Sequence, residues 1–471
     1  MKLTIEELLS LPQVEGRNLD EFMKYPIIGI STDSRSVGTG EIFVAIHGEK
    51  FDGNAFAAGA IARGALCAIV DREWTGSNNL PLIITADTVE TLGAIARLYR
   101  RKFEIPVIAV AGSNGKTTTK EMIVQILSTQ YGVLGTPGNL NNHIGVPQTL
   151  FKLSEQHQAA VVEIGTNHFG ELEYLCRVLE PTHGVITNAG REHLEFFGDA
   201  QGAAKAEAEL FDYLNTFGLA FVNLDDDLVE QHSGILKNKI TYGFNAPTAE
   251  VKGAFVQVNE QGCYTFSIAT SKQKPFVVSL PVPGEHIMHN ALAAAAVGLT
   301  FGINPENIKR TLQEFIAVGK RMEVYEFSGV TIIDDTYNAN PESMISALRT
   351  VHAMKSSGKK IAVLADMLEL GKTSEDEHRS LGRAINSLSL DVLLTYGSDT
   401  AYIHGEAGVA MKKHYEDRNE LARDLCRDVQ PGDVVLVKGS RGMAMEQVVK
   451  ALREDLERLV ERESGTRIGV H

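Results

Sequence analysis

Short apolar runs alternate with amphipathic stretches along the whole chain. Near the N-terminus IIGISTDS, EIFVAI and ALCAIV read as strands, and NAFAAGAIARGA and TVETLGAIARLYRRK as helices. The second helix ends in basic residues, which suit a helix C-terminus. RRKFEIPV then reads as a linker, with Pro106 opening a new strand, so residues 1–102 form a first α/β unit. A second unit, 103–318, begins with the strand PVIAVAG, a glycine loop and the helix TTTKEMIVQILSTQ, followed by buried strands AAVVEIG, HGVITNAG and LAFVNLD. Strands alternating with helices imply a doubly wound parallel sheet. Between 250 and 281 the pattern becomes alternating (AFVQVNEQGCYTFSIA) around Glu260-Gln261-Gly262, which predicts an appended antiparallel hairpin. From 319 to 471 the βα alternation resumes with GVTIIDD, KKIAVLAD, LDVLLTYGS and DVVLVKGS. This third, Rossmann-like unit ends in the charged helix AMEQVVKALREDLERLVERE and a tail, SGTRIGVH, without order signals. The expected fold is therefore α/β in three domains, a count that 471 residues accommodate.

Composition narrows the function. A formal charge of −15 argues against nonspecific nucleic-acid binding, which needs phosphate-neutralising Lys and Arg. Anionic small substrates would have to be met by local amides, a few basic residues and Mg²⁺. Four scattered cysteines without a CxxC pair read as reduced thiols. The first residues, MKLTIEELLSLPQ, have glutamates inside the apolar stretch and lack a signal-peptide core, and no uncharged run reaches the ~18 residues of a membrane span. ALAAAAVGLTFGI, 291–303, reads as a buried helix. The expectation is a soluble, cytoplasmic monomer without membrane insertion.

The chemistry centres on AVAGSNGKTTTKE, 109–121. A Walker loop requires Gly, four residues, then Gly-Lys-Ser/Thr; here Val110 occupies the first Gly position and the loop is G-x-x-G-K-T. A buried strand, a glycine turn and a helix start still aim several N–H groups at one spot. Gly112 and Gly115 permit close backbone approach to phosphate, Lys116 would sit on the β/γ-phosphates and Thr117 could ligate Mg²⁺. Glu163 and His193 lie at or just beyond strand ends, which face the ligand crevice of a parallel sheet, though such residues also serve as caps. Locally Lys205 reads as a helix-surface lysine, and Asp334-Asp335 as turn acids or a ribose-binding carboxylate. Arg321 and Arg441 stay open on local sequence.

Together these pieces resemble the Mur ligase family over essentially the whole chain. GSNGKTTTKE is similar to that family's GTNGKTTT loop, which also lacks the first Walker glycine, and GTPGNLNNHIGVPQTL, 135–150, to the segment after it. Residues 31–56, STDSRSVGTGEIFVAIHGEKFDGNAF, resemble the family's UDP-binding domain. DDTYNANPESM, VLADMLELG and KGSRGMAMEQVV resemble the member that joins D-alanyl-D-alanine to UDP-N-acetylmuramoyl-tripeptide. Departures exist: EHLEFFGD stands where AHLExFGS is common, with Asp199 for Ser, and Ala365, Gly442 and Ala444 replace Gly, Ser and Arg.

The resemblance implies roles that spacing could not supply. Gly112, Ser113, Asn114, Gly115, Lys116, Thr117 and Thr118 would hold the ATP phosphates, with Thr117 and Glu163 on a first Mg²⁺. Lys205 would correspond to a carbamylated lysine that holds a second Mg²⁺ with His193. Asn290 would contact adenine, and Arg321 and Asp335 would close over the nucleotide. Ser34 and Arg35 would hold UDP, Asn139 and Asn142 would face the muramoyl group, and Ser440 and Arg441 would lie on the dipeptide side. The implied reaction is ATP-dependent amide formation through an acyl phosphate. Other family activities compete with it: addition of a single amino acid, or folate polyglutamylation, against which the UDP-domain and DDTYNANP segments count. A P-loop regulator that makes no bond is the reading from another class, and it leaves Glu163, His193 and Lys205 without a joint purpose.

Overall fold

Three sheets of five or more strands organise the computed structural model, which describes residues 1–48 and 51–466. The first contains β1 (Glu15–Arg17), β2 (Gly29–Ser31), β3 (Glu41–Val44), β4 (Cys67–Asp71) and β5 (Leu82–Thr85), in the order β1-β5-β4-β3-β2. All neighbours are parallel except β1 with β5. Helix α1 (Thr88–Arg100) follows, its start fixed by Asp87, whose carboxylate accepts from the N–H groups of Val89 and Glu90. The buried residues Leu92, Ile95 and Tyr99 of α1 share one core with Ile69 of the first sheet and Val162 of the next. The hydrophobic pattern does not single out β1, β5 or the short helix Ile5–Leu9, which are too brief for a periodic signature.

The second sheet runs through β6 (Val107–Ala111), α2 (Lys116–Ser128), β7 (Val133–Gly135), α3 (Gly145–Leu150), β8 (Ala159–Glu163), β9 (His183–Ile186), α4 (Ala200–Leu214) and β10 (Leu219–Asn223). It continues with β11 (Lys239–Gly243), β12 (Val251–Val258), β13 (Cys263–Thr270), β14 (Gln273–Pro283) and α5 (Glu285–Thr300). Strand order is β14-β13-β12-β11-β10-β9-β6-β8-β7, parallel from β7 through β12. The expected hairpin is a three-stranded antiparallel meander, because β14 carries the alternation on past a second turn. Helix α5, rich in alanine, lies buried in the same core as Ile123 and Ile126 of α2.

The third sheet comprises β15 (Glu323–Phe327), β16 (Val330–Asp335), β17 (Lys360–Ala365), β18 (Val392–Tyr396), β19 (Met411–Tyr415) and β20 (Val434–Lys438). Its order is β15-β16-β20-β17-β18-β19, parallel but for the β15 edge. Helix α6 (Pro341–Ala353) follows β16, and α7 (Glu446–Thr466) follows β20. Residues 467–471 of the tail lie outside the described residues. No helix among the described residues is long and apolar enough to cross a membrane.

The central sheet places three strand ends side by side. Glu163 of β8 pairs with Val110 of β6, and Ile186 of β9 pairs with Ala111. After β6 the chain passes beyond β8 to form β7, and β9 then returns to the other flank of β6. Strand order thus reverses beside β6, where open α/β sheets form their ligand crevice.

Candidate active site

The loop after β6 is shaped by two glycines with left-handed backbone, Gly112 at φ 116° and Gly115 at φ 81°. A Cβ on Gly112 would lie 2.8 Å from the Thr187 nitrogen, and one on Gly115 would lie 2.9 Å from Cγ of Asn290. Both positions therefore need glycine for conformation and for space. Ser113 Oγ accepts from the Gly190 N–H at 2.7 Å, and the Asn114 N–H donates to Asn188 Oδ1 at 2.9 Å. Thr187 Oγ1 donates to the Asn114 carbonyl at 2.7 Å. The segment after β9 thus holds the loop open with Lys116 and Thr117 at the start of α2, and Thr118 beside them is buried. Asn290 of α5 is buried against Gly115.

Carboxylates surround this loop. Glu163, 1 % exposed, accepts from Thr117 Oγ1 at 2.7 Å and from Asn141 Nδ2 at 2.9 Å. The Lys116 ammonium donates to the carbonyls of Gly112 and Ser113 and lies 3.6 Å from Glu192 Oε2. Glu207 Oε2 accepts from the Gly112 N–H at 2.7 Å. Burial works against the Lys116 charge, but Glu192, Glu207 and Glu163 outweigh it and raise its pKa above the ordinary lysine value. Burial, opposed by Lys116 and reinforced by Glu192, pushes the Glu207 carboxyl well above the usual carboxylate range.

The C-terminal unit touches the loop directly. Asn340, the N-cap of α6, donates through Nδ2 to Asn114 Oδ1 at 2.9 Å. Arg191 Nε donates to Glu342 at 2.6 Å, and its Nη1 to Glu377 at 2.8 Å. His193, with left-handed backbone, brings Nδ1 to 2.6 Å from Glu369 Oε2. That contact, against opposing burial, holds the Glu369 carboxyl below its ordinary value. Asp335 is buried and accepts from Lys438 Nζ at 2.6 Å and from the Met322 N–H at 3.2 Å. The Arg321 guanidinium stacks 3.6 Å from the Tyr337 ring centroid, with Arg441 5.9 Å from the same ring. Ser440 is buried, its Oγ accepting from the Leu368 N–H at 2.8 Å and donating to the Ala339 carbonyl at 3.2 Å.

Four expected residues remain: Ser34, Arg35, Asn139 and Asn142. Ser34 and Arg35 follow β2, with Arg35 paired bidentately to Asp33 at 2.9 and 2.8 Å. Gln148 of α3 donates to Thr32 Oγ1 at 2.8 Å and joins this turn to the central unit. Asn142 Oδ1 accepts from the N–H groups of Ile144 and Gly145 at the start of α3, and Asn139 is exposed.

A hard divalent cation suits the oxygen set of Thr117 and Glu163, where a carboxylate 1 % exposed is held by neutral donors alone. Lys205 does not fit a carbamate beside the loop. It is exposed on α4, with its ammonium 5.8 Å from the Phe169 ring centroid. Two positions on, Glu207 is 1 % exposed and faces the loop. Sequence reasoning also passed over Asn141, Asn188, Glu192, Arg191 and Glu369. Glu207 alone carried a legible sign, since Ala203, Glu207, Leu210, Phe211 and Leu214 share the buried stripe of α4.

A strand-loop-helix phosphate cradle, flanked by carboxylates and clasped by a second α/β unit, defines a nucleotide-dependent enzyme of the Mur ligase class. The chain belongs to the Mur ligase family. Its residues 26–113 match the model described as "Mur ligase family, catalytic domain", 110–298 the "Mur ligase middle domain" and 320–441 the "Mur ligase, glutamate ligase domain". UDP-N-acetylmuramoyl-tripeptide–D-alanyl-D-alanine ligase of Bacillus subtilis is 36 % identical over 91 % of this chain and 93 % of its own length. The Escherichia coli protein of that name is 36 % identical over 90 % and 94 %. A crystal structure of MurF from Acinetobacter baumannii superposes with a TM-score of 0.88 at 32 % identity, covering 96 % of this chain and 98 % of that one. MurF of Thermotoga maritima, solved in complex with ADP, gives 0.82 at 28 % identity over 92 % and 98 %.

Proposed function

We propose that this chain is an ATP-dependent ligase that joins D-alanyl-D-alanine to UDP-N-acetylmuramoyl-tripeptide, giving the pentapeptide precursor of peptidoglycan with ADP and phosphate. The supporting observation is the loop itself: amides and Lys116 at the start of α2, opposite Glu163, with Asn340 of the third unit bonded to Asn114. Curated relatives with that activity align over nine-tenths of the chain.

In this reading the ATP phosphates lie on the amides of 112–118, and Lys116 leaves the Gly112 and Ser113 carbonyls for the β/γ-phosphates. The tripeptide carboxylate attacks the γ-phosphorus as the bond to ADP breaks, which gives an acyl phosphate. The dipeptide amine then attacks the acyl carbon, phosphate departs with the bonding electron pair, and the amine sheds a proton. Mg²⁺, held by Thr117 and Glu163, would supply the positive charge that lets carboxylate and triphosphate approach each other. The chain's own part is to position and to exclude water. Ser34 and Arg35 hold the UDP end, and Asn139 and Asn142 orient the muramoyl group. Asn290 meets the adenine, Arg321 and Asp335 cover the nucleotide, and Ser440 and Arg441 face the dipeptide. His193 completes the loop side of the cleft. Water must be kept out because it would hydrolyse the acyl phosphate, so the three units close around the ligands before chemistry.

The test is ADP release with each acceptor alone and with both. Release should require UDP-N-acetylmuramoyl-tripeptide and D-alanyl-D-alanine together. ATP hydrolysis indifferent to both acceptors would refute the ligase reading.

A further inference from the structure

The two carboxylates beside the loop lysine have no employment in the reading above. Glu192 and Glu207 are both more than nine-tenths buried, and Oε1 of each lacks any hydrogen-bond partner. The positive group that faces them is the Lys116 ammonium. A phosphate in the loop draws that ammonium away from them, and two buried carboxyl groups then confront each other with one cation fewer. The two lie close enough that Glu192 raises the proton affinity of Glu207, and a divalent cation can take the place both of that proton and of the departed ammonium. The Gly112 N–H holds Glu207 Oε2, and Glu163 is a third carboxylate acting on the same ammonium.

A carbamate is in chemical terms a carboxylate made on a lysine nitrogen. Its advantage for a hard cation is the pair of anionic oxygens. Here Lys205 points into solvent over Phe169, and the same helix already offers an unmodified carboxylate on its loop-facing stripe. We propose that Glu207, with Glu192, takes the part that family resemblance gives to a carbamylated Lys205, and that this pair holds a second divalent cation when nucleotide is bound. The inference rests on the ATP-dependent reading of the loop. It makes the enzyme independent of dissolved CO₂ and leaves Lys205 dispensable.

The probe is Mn²⁺ counted by electron paramagnetic resonance on the full chain with a non-hydrolysable ATP analogue. Wild type and Lys205→Ala should each bind about two Mn²⁺ in CO₂-depleted buffer, whereas Glu207→Gln should bind the second about 10–100-fold more weakly. ¹³C-bicarbonate should give no protein carbamate resonance. Thermal melting checks that Glu207→Gln folds, and Glu192→Gln serves as an independent variant with the same expected loss. Loss of the second Mn²⁺ in Lys205→Ala, a ¹³C carbamate in wild type, or full Mn²⁺ binding in both glutamine variants would overturn the proposal. The ligase reading is judged separately by acceptor-dependent ADP release of wild type, which can fail while the Mn²⁺ count stands.

Discussion

Replacing Lys116 by alanine removes a largely but not fully buried cation from the midst of three carboxylates, and the consequences can be worked from the contacts. At 3.6 Å from Glu192 the gross attraction is about 4–5 kcal/mol at an effective dielectric of about 20. Much of that offsets desolvation, but stripping one partner from a buried pair still costs about 3–5 kcal/mol. The penalty depends on pH, because the orphaned carboxyls can take up protons. The Glu207 pKa is already raised in the folded state, so the folded chain binds more protons than the unfolded one between the two values. Stability conferred in this way is fully present below the unfolded carboxyl pKa and is lost as pH rises through the folded one. Lys116 lowers that folded value, so its removal shifts the loss to higher pH and deepens it. Thermal melting of wild type and Lys116→Ala at about pH 6 and pH 8.5 should show a gap that widens with pH. Turnover, followed by ADP release, should fall at least about 10²-fold, since the transferring phosphoryl group loses its fixed positive partner. A melting gap identical at both pH values, or ADP release within about tenfold of wild type, would refute the reasoning.

Two further perturbations probe the clasp on the third unit. Arg191→Ala removes half-exposed ion pairs to Glu342 and Glu377, about 1–2 kcal/mol together, and should shift the balance toward separated central and C-terminal units about 5–30-fold; an unchanged single-molecule distance distribution between the units would contradict this. Asp335→Asn leaves Lys438, 3 % exposed, beside a neutral partner and should cost about 1.5–3 kcal/mol in denaturant melts; adding Lys438→Met should recover part of the loss, and no recovery would show that the buried charge is not its cause.

Sequence legibility followed burial. The strands that announced themselves, such as VIAVA, AAVVE and VVLVK, are buried at every position, and continuous apolar runs of that kind are what a sheet covered on both faces requires. Those that did not are edges, short pieces or, like β11 (KITYG), interior strands that begin exposed. The edge strands β15 and β19, EVYEF and MKKHY, mix charged and apolar residues because one flank meets solvent. The meander was half visible: its first turn has the Gln-Gly pair, whereas the second, Ser271-Lys272, has no glycine to mark it. The phosphate loop was legible because its chemistry is local, with the glycines, the lysine and the threonine all within six residues of sequence. Glu369 and Asn340 could not be read in the same way, since their meaning comes from contact with His193 and Asn114 across more than a hundred residues.

On α4 the family motif and the helix period point to different residues. Lys205 and Glu207 are two residues apart, which on an α-helix is about 200° of rotation, so only one of them can face the loop. The family resemblance falls on the lysine. The period of the apolar residues chooses the other face: Ala203, Leu210, Phe211 and Leu214 line the core, and Glu207 is the charged residue on their stripe. A charged residue at a core position needs a partner, and Glu207 has the Gly112 amide and the Lys116 ammonium. Glu192 then answers the same logic from the other side, as a buried acid one residue before His193. Two buried acids converge on one lysine, and helix geometry fixes Glu207 there; a second cation is the expected replacement for that charge once a nucleotide claims Lys116.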